Sequence, residues 1–277
     1  MLAVWAEMNV VLADEFRDGN VPATMAPLTV AKQTYAALPE TVTEYYYRGD
    51  SASHESHLIN WLRDEEREGG PRGFIGFAIS ARMSEALHKA ILMVREESWQ
   101  AYGEAHAREI RECAEVSFVP GEKSEHKDTQ PLRYVAMRIR QRQESLFEDG
   151  SKVKHFAVVT NMGEWKAGRL IQWHREKAGT VEGVHDVVKN ELAGGVMPCK
   201  YFGANAAWLR MAVISHNVMT ALPAELWTAR PKRLRFLIFN IPGRLVHHAR
   251  RTVLRLATTA QRVMDWLEAA RLLPIIV

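Results

Sequence analysis

The sequence is poor in cysteine and in long hydrophobic runs. Its two cysteines, Cys113 and Cys199, form no closely spaced pair, so neither a disulfide framework nor a cysteine-based zinc site is indicated. This usage is typical of a reducing cytoplasm. No apolar run reaches the roughly 18 to 20 residues that a membrane-spanning helix needs, and the first residues carry no basic leader of a signal peptide. We therefore expect a cytoplasmic protein with no membrane partner, whose chain begins inside a domain, almost directly in a strand.

Acidic residues are missing from one long stretch. Between Leu226 and Met264 there is no Asp or Glu, although nine Lys and Arg residues lie there. Because the whole chain has a formal net charge of +3, the rest of the chain carries a net charge of −6. A basic stretch attached to an acidic body favours contact with a phosphate backbone, and a solvated basic face is the alternative. The nine residues are Arg230, Lys232, Arg233, Arg235, Arg244, Arg250, Arg251, Arg255 and Arg262.

The pattern of apolar residues predicts an α/β protein in the first hundred residues. The chain has 277 residues, 47% of them hydrophobic and 25% charged, which is average for a globular protein. A strand–helix–strand unit over residues 42–79 is long enough for a right-handed parallel crossover. The predicted strands cover 3–13, 42–47 and 74–79, and the predicted helices cover 26–38, 53–67 and 83–94.

The remaining residues predict a β-rich insertion followed by helices. Strands are expected over 115–119, 132–140 and 155–160. Helices are expected over 165–177, from a cap at Thr180 to Leu192, and over 203–221, with Gly179 ending the first of them. We therefore divide the chain into the first part of a core (1–97), a β-rich insertion (98–160), a helical completion of the core (161–222) and a basic C-terminal segment (223–277).

Asp50 follows a strand pattern and precedes a helix pattern. Residues 42–47 are rich in β-branched and aromatic side chains, and Ser51 or Ser53 can cap the next helix. In an open α/β sheet, side chains at the carboxyl end of a strand face the crevice where ligands bind. An Asp in such a turn is also a common turn or capping residue. Both interpretations stand at this point.

Glu182 is a second candidate carboxylate. In a helix that begins at Thr180, an apolar stripe runs beside Glu182, His185 and Lys189, which are spaced i, i+3 and i+7. A carboxylate and a lysine two turns apart can meet a metal and a phosphate. Alternatively, the helix dipole alone favours a Glu in the first turn. The stripe consists of Val181, Val184, Val188 and Leu192.

Five stretches in collinear order resemble bacterial insertion-sequence transposases of the DDE class, which have a ribonuclease-H-like fold. The resemblance covers roughly residues 4–256 and is more specific than any single motif. The stretches are Phe16-Arg-Asp-Gly-Asn-Val-Pro-Ala, Tyr47-Arg-Gly-Asp-Ser-Ala, Trp173-His-Arg-Glu-Lys-Ala-Gly-Thr-Val-Glu, Val188-Lys-Asn-Glu-Leu-Ala-Gly-Gly and Phe202-Gly-Ala-Asn-Ala-Ala-Trp-Leu.

The resemblance implies a metal-dependent enzyme that cleaves DNA and transfers strands at insertion-sequence ends. Asp50 corresponds to the second carboxylate of the family, Glu182 to the third, and Lys189 to a lysine that holds a phosphate. The implied cofactor is Mg²⁺ or Mn²⁺, which accepts hard carboxylate oxygens. The implied partners are terminal inverted repeats and target DNA, with a homodimer in the DNA complex, in the bacterial cytoplasm at the nucleoid. The implied fold is a mixed sheet flanked by helices, with a β-rich insertion and a helical, basic C-terminal part.

The sequence departs from the family pattern in two ways. Arg175 and Ala178 stand where related transposases carry Tyr and Arg, so we expect Arg175 or Lys177 to contact the phosphate. The family's first Asp lies upstream of the strand that opens this chain, and Asp14 and Asp18 follow the wrong strand. We therefore expect a chain truncated at its amino terminus, with impaired cleavage but retained DNA affinity. Further expected DNA contacts are Lys232, Arg233, Arg235, Arg250 and Arg251.

Three functions remain open from the sequence. The first is a DDE transposase with impaired catalysis, and the second is a catalytically inert DNA-binding or oligomerising transposase fragment. The third is a general ribonuclease-H-like nuclease, which would cleave DNA regardless of terminal sequence.

Overall fold

The chain divides into two units. The first consists of Met1–Ala3 and Arg17–Thr180, and the second of Val4–Phe16 and Val181–Val277. The computed structural model describes residues 1–22, 24–104, 108–120, 131–141, 147, 151–221, 230–236, 240, 242–248, 251–256, 265 and 268.

Ten strands and seven α-helices lie within the described residues. The strands are β1 (Leu2–Trp5), β2 (Val10–Asp14), β3 (Tyr45–Gly49), β4 (Ile75–Ser80), β5 (Gln100–Ala101), β6 (Glu109–Val116), β7 (Arg133–Gln141), β8 (Val153–Thr160), β9 (Gly243–His248) and β10 (Arg251–Leu256). The helices are α1 (Pro27–Ala36), α2 (Ser56–Arg63), α3 (Glu85–Leu92), α4 (Ala167–Arg175), α5 (Lys177–Asp186), α6 (Phe202–Thr220) and α7 (Pro231–Leu234).

The first unit is built on a mixed six-stranded sheet in the order β3-β4-β8-β7-β6-β5. The edge strand β3 runs parallel to β4, with Tyr45 opposite Ile75. All other neighbouring strands are antiparallel. β3 and β4 are joined through α2, as the sequence predicts for a parallel crossover. Because the two strands are parallel, their carboxyl ends, Gly49 and Ser80, lie at the same edge of the sheet.

Helices cover both faces of this sheet. Successive side chains of a strand point to opposite faces. Phe77 and Ile79 therefore pack with α1, α2 and α3, whereas Ala78 between them packs with α4. Leu58 and Leu62 of α2 are fully buried against the first face, and each contributes about 1.5–3 kcal/mol by leaving water. The predicted α/β fold with a mixed sheet flanked by helices is confirmed.

The strands predicted as a β-rich insertion extend the same sheet, but the first of them, β6, covers Glu109–Val116 instead of the predicted 115–119. β8 pairs antiparallel with β4, so that Ile79 lies opposite Val159, and β7 and β6 follow in turn. Tyr134 and Val135 of β7 are buried on opposite faces. The polar turn that the sequence predicts over residues 121–128 lies outside the described residues.

The beginning of the chain contains two strands, whereas the sequence predicts one strand over 3–13. β1 and β2 pair in a separate two-stranded sheet, and β2 with the end of β1 belongs to the second unit. Asn9, between the strands, has a φ of 53°. Asn adopts this left-handed conformation more readily than most residues, which allows the chain to turn there.

Side chains of α6 hydrogen-bond to β2 within the second unit. Asn217 acts as a strand partner: its Oδ1 accepts from the Val11 N–H at 2.9 Å and its Nδ2 donates to the Val11 carbonyl at 2.8 Å. Arg210 pairs with Asp14 at 3.0 Å. Among the described residues, no helix is both long enough and apolar enough to cross a lipid bilayer.

The helix that carries Glu182 starts earlier and ends differently than predicted. α5 begins at Lys177 and passes through Gly179, which was expected to end the preceding helix. Thr180, the predicted cap, instead donates its hydroxyl to the Lys177 carbonyl at 3.2 Å. After Asp186 the chain continues in a π-helical turn over Val187–Glu191. The π-helical turn alters the spacing between Glu182 and Lys189 that an α-helical wheel predicts.

An Ala-Gly-Gly sequence ends this π-helical turn. Ala193 has a φ of 60°, and the Gly194 and Gly195 N–H groups donate to the carbonyls of Val188 and Lys189. A Cβ atom at Gly194 would lie 2.8 Å from the Val188 oxygen. A side chain at position 194 would therefore collide with the backbone of the π-helical turn.

The basic C-terminal segment contains strands as well as a helix. α7 is a single helical turn, and β9 and β10 pair antiparallel. The sequence predicts a helical C-terminal part, and the two strands β9 and β10 were not predicted.

Candidate functional site

Asp50 lies directly after β3, at the carboxyl edge of the sheet in the first unit. Its side chain is exposed, and its Oδ1 accepts from the Ala52 N–H at 3.0 Å, which caps a short 3₁₀ turn over Ser51–Ser53. No hydrogen bond to Asp50 Oδ2 comes from the described part of the chain. Both readings of Asp50 from the sequence are therefore compatible with its position: Oδ1 caps the turn, and the side chain as a whole is exposed.

The turn around Asp50 is tightly packed. A Cβ atom on Gly49 would lie 2.6 Å from Ser53 Cβ and 2.7 Å from Ser53 Oγ, so a larger residue would force the turn to shift. Tyr47 donates its hydroxyl to Ser53 Oγ at 3.1 Å. Burial raises the pKa of Tyr47, so this hydroxyl stays protonated and keeps its donor.

Two side chains converge on the carbonyl that precedes Asp50. Lys177 Nζ donates to the Gly49 oxygen at 3.0 Å and to Ser80 Oγ at 3.1 Å. His174 Nε2 lies 3.1 Å from the same carbonyl and 3.3 Å from Ser80 Oγ. Because Gly49 ends β3 and Ser80 ends β4, these contacts tie together the carboxyl ends of the two parallel strands.

His174 is neutral in this arrangement. It is 3% exposed, and burial, together with the nearby Lys177, lowers its pKa to about 4. Its Nδ1 is buried without a hydrogen-bond partner among the described residues. The neutral tautomer with the proton on Nε2 therefore fits, since Nε2 can then donate to the Gly49 carbonyl.

Arg48, the residue before Gly49, is also anchored to the region that follows α4. Its Nη1 donates to the Trp173 carbonyl at 2.7 Å and to Glu176 Oε2 at 3.1 Å. Its guanidinium lies 5.0 Å from the centre of the Trp173 ring. Groups of α4 and of the start of α5 thus hold two consecutive residues at the end of β3, Arg48 and Gly49, in place.

The two candidate phosphate ligands near the end of α4 differ in their surroundings. Arg175 is exposed, and its Nη1 lies 3.5 Å from the Tyr102 hydroxyl. Lys177 is half-buried and donates to Gly49 and Ser80 as described above. The DNA contact predicted for each remains a prediction.

Glu182 belongs to the second unit. Its side chain is exposed on α5, and Val184 and Val188 of the predicted apolar stripe are buried. Lys189 is exposed in the π-helical turn. Asp50 belongs to the first unit.

Part of the basic segment is anchored to the end of the π-helical turn. Arg230 pairs with Asp186 and, at 2.5 Å, with Glu191 Oε1. The Lys232 N–H donates to Glu191 Oε2 at 3.1 Å, and Arg235 donates to the Glu191 carbonyl at 2.6 Å. These contacts use Arg230 and Arg235 to hold the segment.

The other predicted DNA contacts of this segment are exposed. A cavity of about 570 Å³ is lined by Lys232 and Arg233 together with Glu191, Arg230 and the exposed Phe236. Arg251 is exposed at the start of β10. Arg250 lies outside the described residues.

The sequence did not indicate His174 or Ser80 as part of the site. His174 lies beside an apolar helical stripe and Ser80 ends a buried strand, so each resembles an ordinary core position. The usable signal is positional: Ser80 ends the strand parallel to the one before Asp50, and such ends meet at one edge.

A comparison with protein families identifies the chain. The sequence model of the family described as transposase DDE domain group 1 matches residues 2–271. The chain belongs to this DDE transposase family. Its mixed α/β sheet flanked by helices is consistent with the ribonuclease-H-like fold. A search of curated proteins found no match.

DDE transposases generally use divalent metal ions, and their substrate is DNA. The two carboxylates assigned by the resemblance, Asp50 and Glu182, are exposed oxygen donors of the kind that Mg²⁺ prefers. The described residues contain no group of three or more His, Cys, Asp or Glu side chains that could hold a metal ion. The chemistry of the two side chains fits a divalent metal.

Proposed function

We propose that this transposase catalyses metal-dependent cleavage and strand transfer of DNA at insertion-sequence ends, with Asp50 and Glu182 as its catalytic carboxylates. The observation that carries the proposal is the family match over residues 2–271, together with Asp50 in a rigid turn at the carboxyl end of β3. Such strand ends are where open α/β sheets place their ligands.

The carboxylates of Asp50 and Glu182 would hold Mg²⁺ or Mn²⁺. When bound, divalent ions neutralise charge on the attacking and leaving oxygens of a phosphoryl transfer. The role of the chain itself is to orient these carboxylates. The donors from His174 and Lys177 fix the peptide group before Asp50. The Ala52 N–H fixes the Asp50 carboxylate oxygen Oδ1.

DNA is held by basic side chains in this proposal. Lys189 and Arg175 would contact phosphates near the transposon end, and Lys232, Arg233 and Arg251 would contact the flanking backbone. Lys177, Arg235 and Arg250 complete the set that the sequence suggests. Such contacts act through charge and release of counterions, so affinity falls with salt. In this proposal the active form is a homodimer on DNA.

The test is Mg²⁺- or Mn²⁺-dependent nicking of duplexes that carry the terminal DNA of the element encoding this chain. Asp50→Asn retains an oxygen for the Ala52 N–H but removes the charge, so we expect nicking to be lost while the fold remains. Asp64→Asn is the matched control, because Asp64 Oδ1 accepts from the Glu66 N–H at 3.0 Å in the same local geometry. Equal rates for Asp50→Asn and the wild type would contradict the proposal.

Glu182→Gln completes the test, with exposed Glu164→Gln as its control. We expect loss of nicking for the first and no change for the second. Nicking of unrelated duplexes at the same rate would instead indicate a general nuclease.

A second candidate is a non-catalytic DNA-binding transposase. The observation that favours it concerns Asp14, an acidic residue near the start of the chain. Asp14 forms a salt bridge with Arg210, so its carboxylate is already paired and does not stand in for the first Asp of the family. Salt-sensitive DNA binding without any metal-dependent nicking would support this candidate.

A further inference from the structure

We propose that β9 and β10 form a two-stranded ribbon that binds duplex DNA through one face. This face, here called the arginine face, carries Arg244, Arg251 and Arg255. The inference rests on the proposed function and adds the surface by which the basic segment recognises DNA.

The strand register places the three arginines on the same face. β9 and β10 are antiparallel, with Arg244 opposite Arg255 and Val246 opposite Val253. Arg251 is four residues before Arg255 on the same strand. Because side chains alternate between faces with a period of two, all of these positions share one face.

Among the described residues, no carboxylate balances the charges of the arginine face. Arg244, Arg251 and Arg255 are exposed, and none is paired with a carboxylate in the described part of the chain. Like charges directly opposite each other destabilise a strand pair, as for Arg244 and Arg255. The sequence offers no Asp or Glu between Leu226 and Met264. An external polyanion would relieve the repulsion.

The dimensions of the arginine face match duplex DNA. Arg251 and Arg255 are separated by four residues, which corresponds to about 13 Å along a strand. The major groove of B-DNA is about 12 Å wide and admits a two-stranded ribbon. The arginine face can therefore reach phosphates on both edges of one groove.

The opposite face of the ribbon is chemically different. Leu245 and Leu254 lie opposite each other on it and are 64% and 59% exposed. A generally basic, solvated segment would gain nothing from confining its arginines to one face. Because the two faces differ, a variant can move arginines from one face to the other at constant net charge, which separates the effect of their position from the effect of total charge.

The test exchanges the two faces without altering composition. The variant combines Arg244→Leu, Leu245→Arg, Leu254→Arg and Arg255→Leu in the full chain, so net charge is unchanged and the opposed arginines move to the other face. Binding to a mixed-sequence duplex of about 30 base pairs is measured across salt concentrations without divalent metal. Each lost phosphate contact lowers the slope of log K against log salt by about one. For this variant we expect the magnitude of that slope to fall by about two and the affinity for the duplex to be at least about tenfold lower than that of the wild type. Binding with the wild-type slope would overturn the proposal.

A second pair of variants keeps the proposal testable if the exchanged ribbon does not fold, as judged by circular dichroism. Arg244→Ala with Arg255→Ala is compared with Arg72→Ala and Arg95→Ala, which remove two exposed arginines of the first unit. We expect the slope to fall by about two only for the ribbon pair. An equal fall for both pairs would show that overall charge, not the ribbon, governs binding.

Single-stranded DNA of the same sequence separates groove contact from general attraction to phosphate. We expect the face exchange to weaken duplex binding more than single-strand binding, and an equal loss would contradict the proposal. Failure of the proposed catalysis is distinguishable, since it removes nicking while the salt slopes still respond to the ribbon variants. If the slopes do not respond but Asp50→Asn abolishes nicking, only the ribbon proposal fails.

Discussion

At the scale of single residues, the peptide group between Gly49 and Asp50 is held by side chains that are distant in sequence. His174 and Lys177 both contact the Gly49 carbonyl and Ser80. A buried carbonyl with two such donors has little freedom to rotate. The direction in which the Asp50 carboxylate points therefore depends on α4 and the start of α5 as well as on its own turn.

The buried His174 should make stability depend on pH. Its folded pKa is about 4, below the ordinary value of 6.5, so the unfolded chain binds a proton at a pH where the folded chain does not. Stability is therefore lost as pH falls from about 6.5 to about 4, by about 3 kcal/mol in total. Urea unfolding at a series of pH values measures this loss.

His174→Gln provides the comparison, because it retains a donor for Gly49 but does not titrate. We expect this variant to lose less stability than the wild type between pH 7 and pH 4. Burial also lowers the pKa of His54, His155 and His216, and they contribute equally to both proteins. An identical pH dependence for the two proteins would contradict the assignment.

Two glycine-to-alanine substitutions, at Gly49 and at Gly179, should change the stability of the protein in opposite directions. Gly49→Ala brings a Cβ to 2.6 Å from Ser53 Cβ, and such overpacking costs about 1–3 kcal/mol. Gly179→Ala lies on an exposed helix with nothing within 4 Å, and Ala favours a helix over Gly by up to about 1 kcal/mol. Thermal unfolding of both variants checks the pair, and a Gly49→Ala protein as stable as the wild type would contradict the tight turn.

At the scale of elements, the outer strands of the sheet are held by an ion-pair network. Arg138 of β7 is 7% exposed and pairs with Glu112 at 2.7 Å and with Glu96 at 2.5 Å, its guanidinium lying 4.4 Å from the Trp99 ring centre. In the sequence, the alternation over residues 132–140 places Arg138 and Arg140 on one face, which is typical of an ordinary half-exposed strand and, as the less favoured alternative, of a groove that binds nucleic acid. In the structure, both instead contact carboxylates of the same unit.

Arg138→Met should therefore destabilise the first unit by about 2–3 kcal/mol, since it leaves the poorly exposed Glu112 without its closest partner. Arg140→Met is the control, because Arg140 is 37% exposed and such pairs contribute at most about 1 kcal/mol. Denaturant midpoints for the two variants measure the difference. A larger effect at Arg140 than at Arg138 would refute this account.

The sequence predicts most elements of the first unit because its strands and helices have clear periods. It does not reveal that β8 joins β4, since register between strands separated by a whole insertion leaves no local mark. The prediction of a single strand over residues 3–13 is wrong, because apolar residues on both sides of Asn9 hide the turn between β1 and β2. The sequence does not predict the π-helical turn, because an uninterrupted α-helix also places Lys189 on the same stripe as Glu182.

The candidate site also contains residues that the sequence indicates and residues that only the folded structure reveals. Asp50 and Glu182 were found through motif stretches that resemble a family, and Asp50 could be located at a strand end from local sequence. His174 joins the site through tertiary contacts with Gly49 and Ser80, which no spacing in the sequence encodes, whereas Ser80 is marked only by its position at the end of a parallel strand. The arginine face depends on the pairing of β9 with β10, and this pairing was not predicted.

At the scale of the whole molecule, charge and chemistry lie in different parts of the chain. The acid-free stretch carries nine positive charges while the rest sums to −6. DNA affinity should therefore be nearly independent of the catalytic carboxylates. We expect Asp50→Asn and Glu182→Gln to bind terminal DNA within about twofold of the wild type at a fixed salt concentration, because phosphate contacts dominate affinity. Fluorescence anisotropy measures this, and a large loss of binding would contradict the separation of roles.

The most direct measurement of the central claim is the single-turnover nicking rate of Asp50→Asn, Glu182→Gln and the double variant on terminal DNA in Mg²⁺. Groups that act as one catalytic unit are strongly non-additive. We predict that each single substitution lowers the rate about a thousandfold or more and that the double substitution lowers it no further. Rates that fall multiplicatively, or a single variant that nicks at the wild-type rate, would contradict the account.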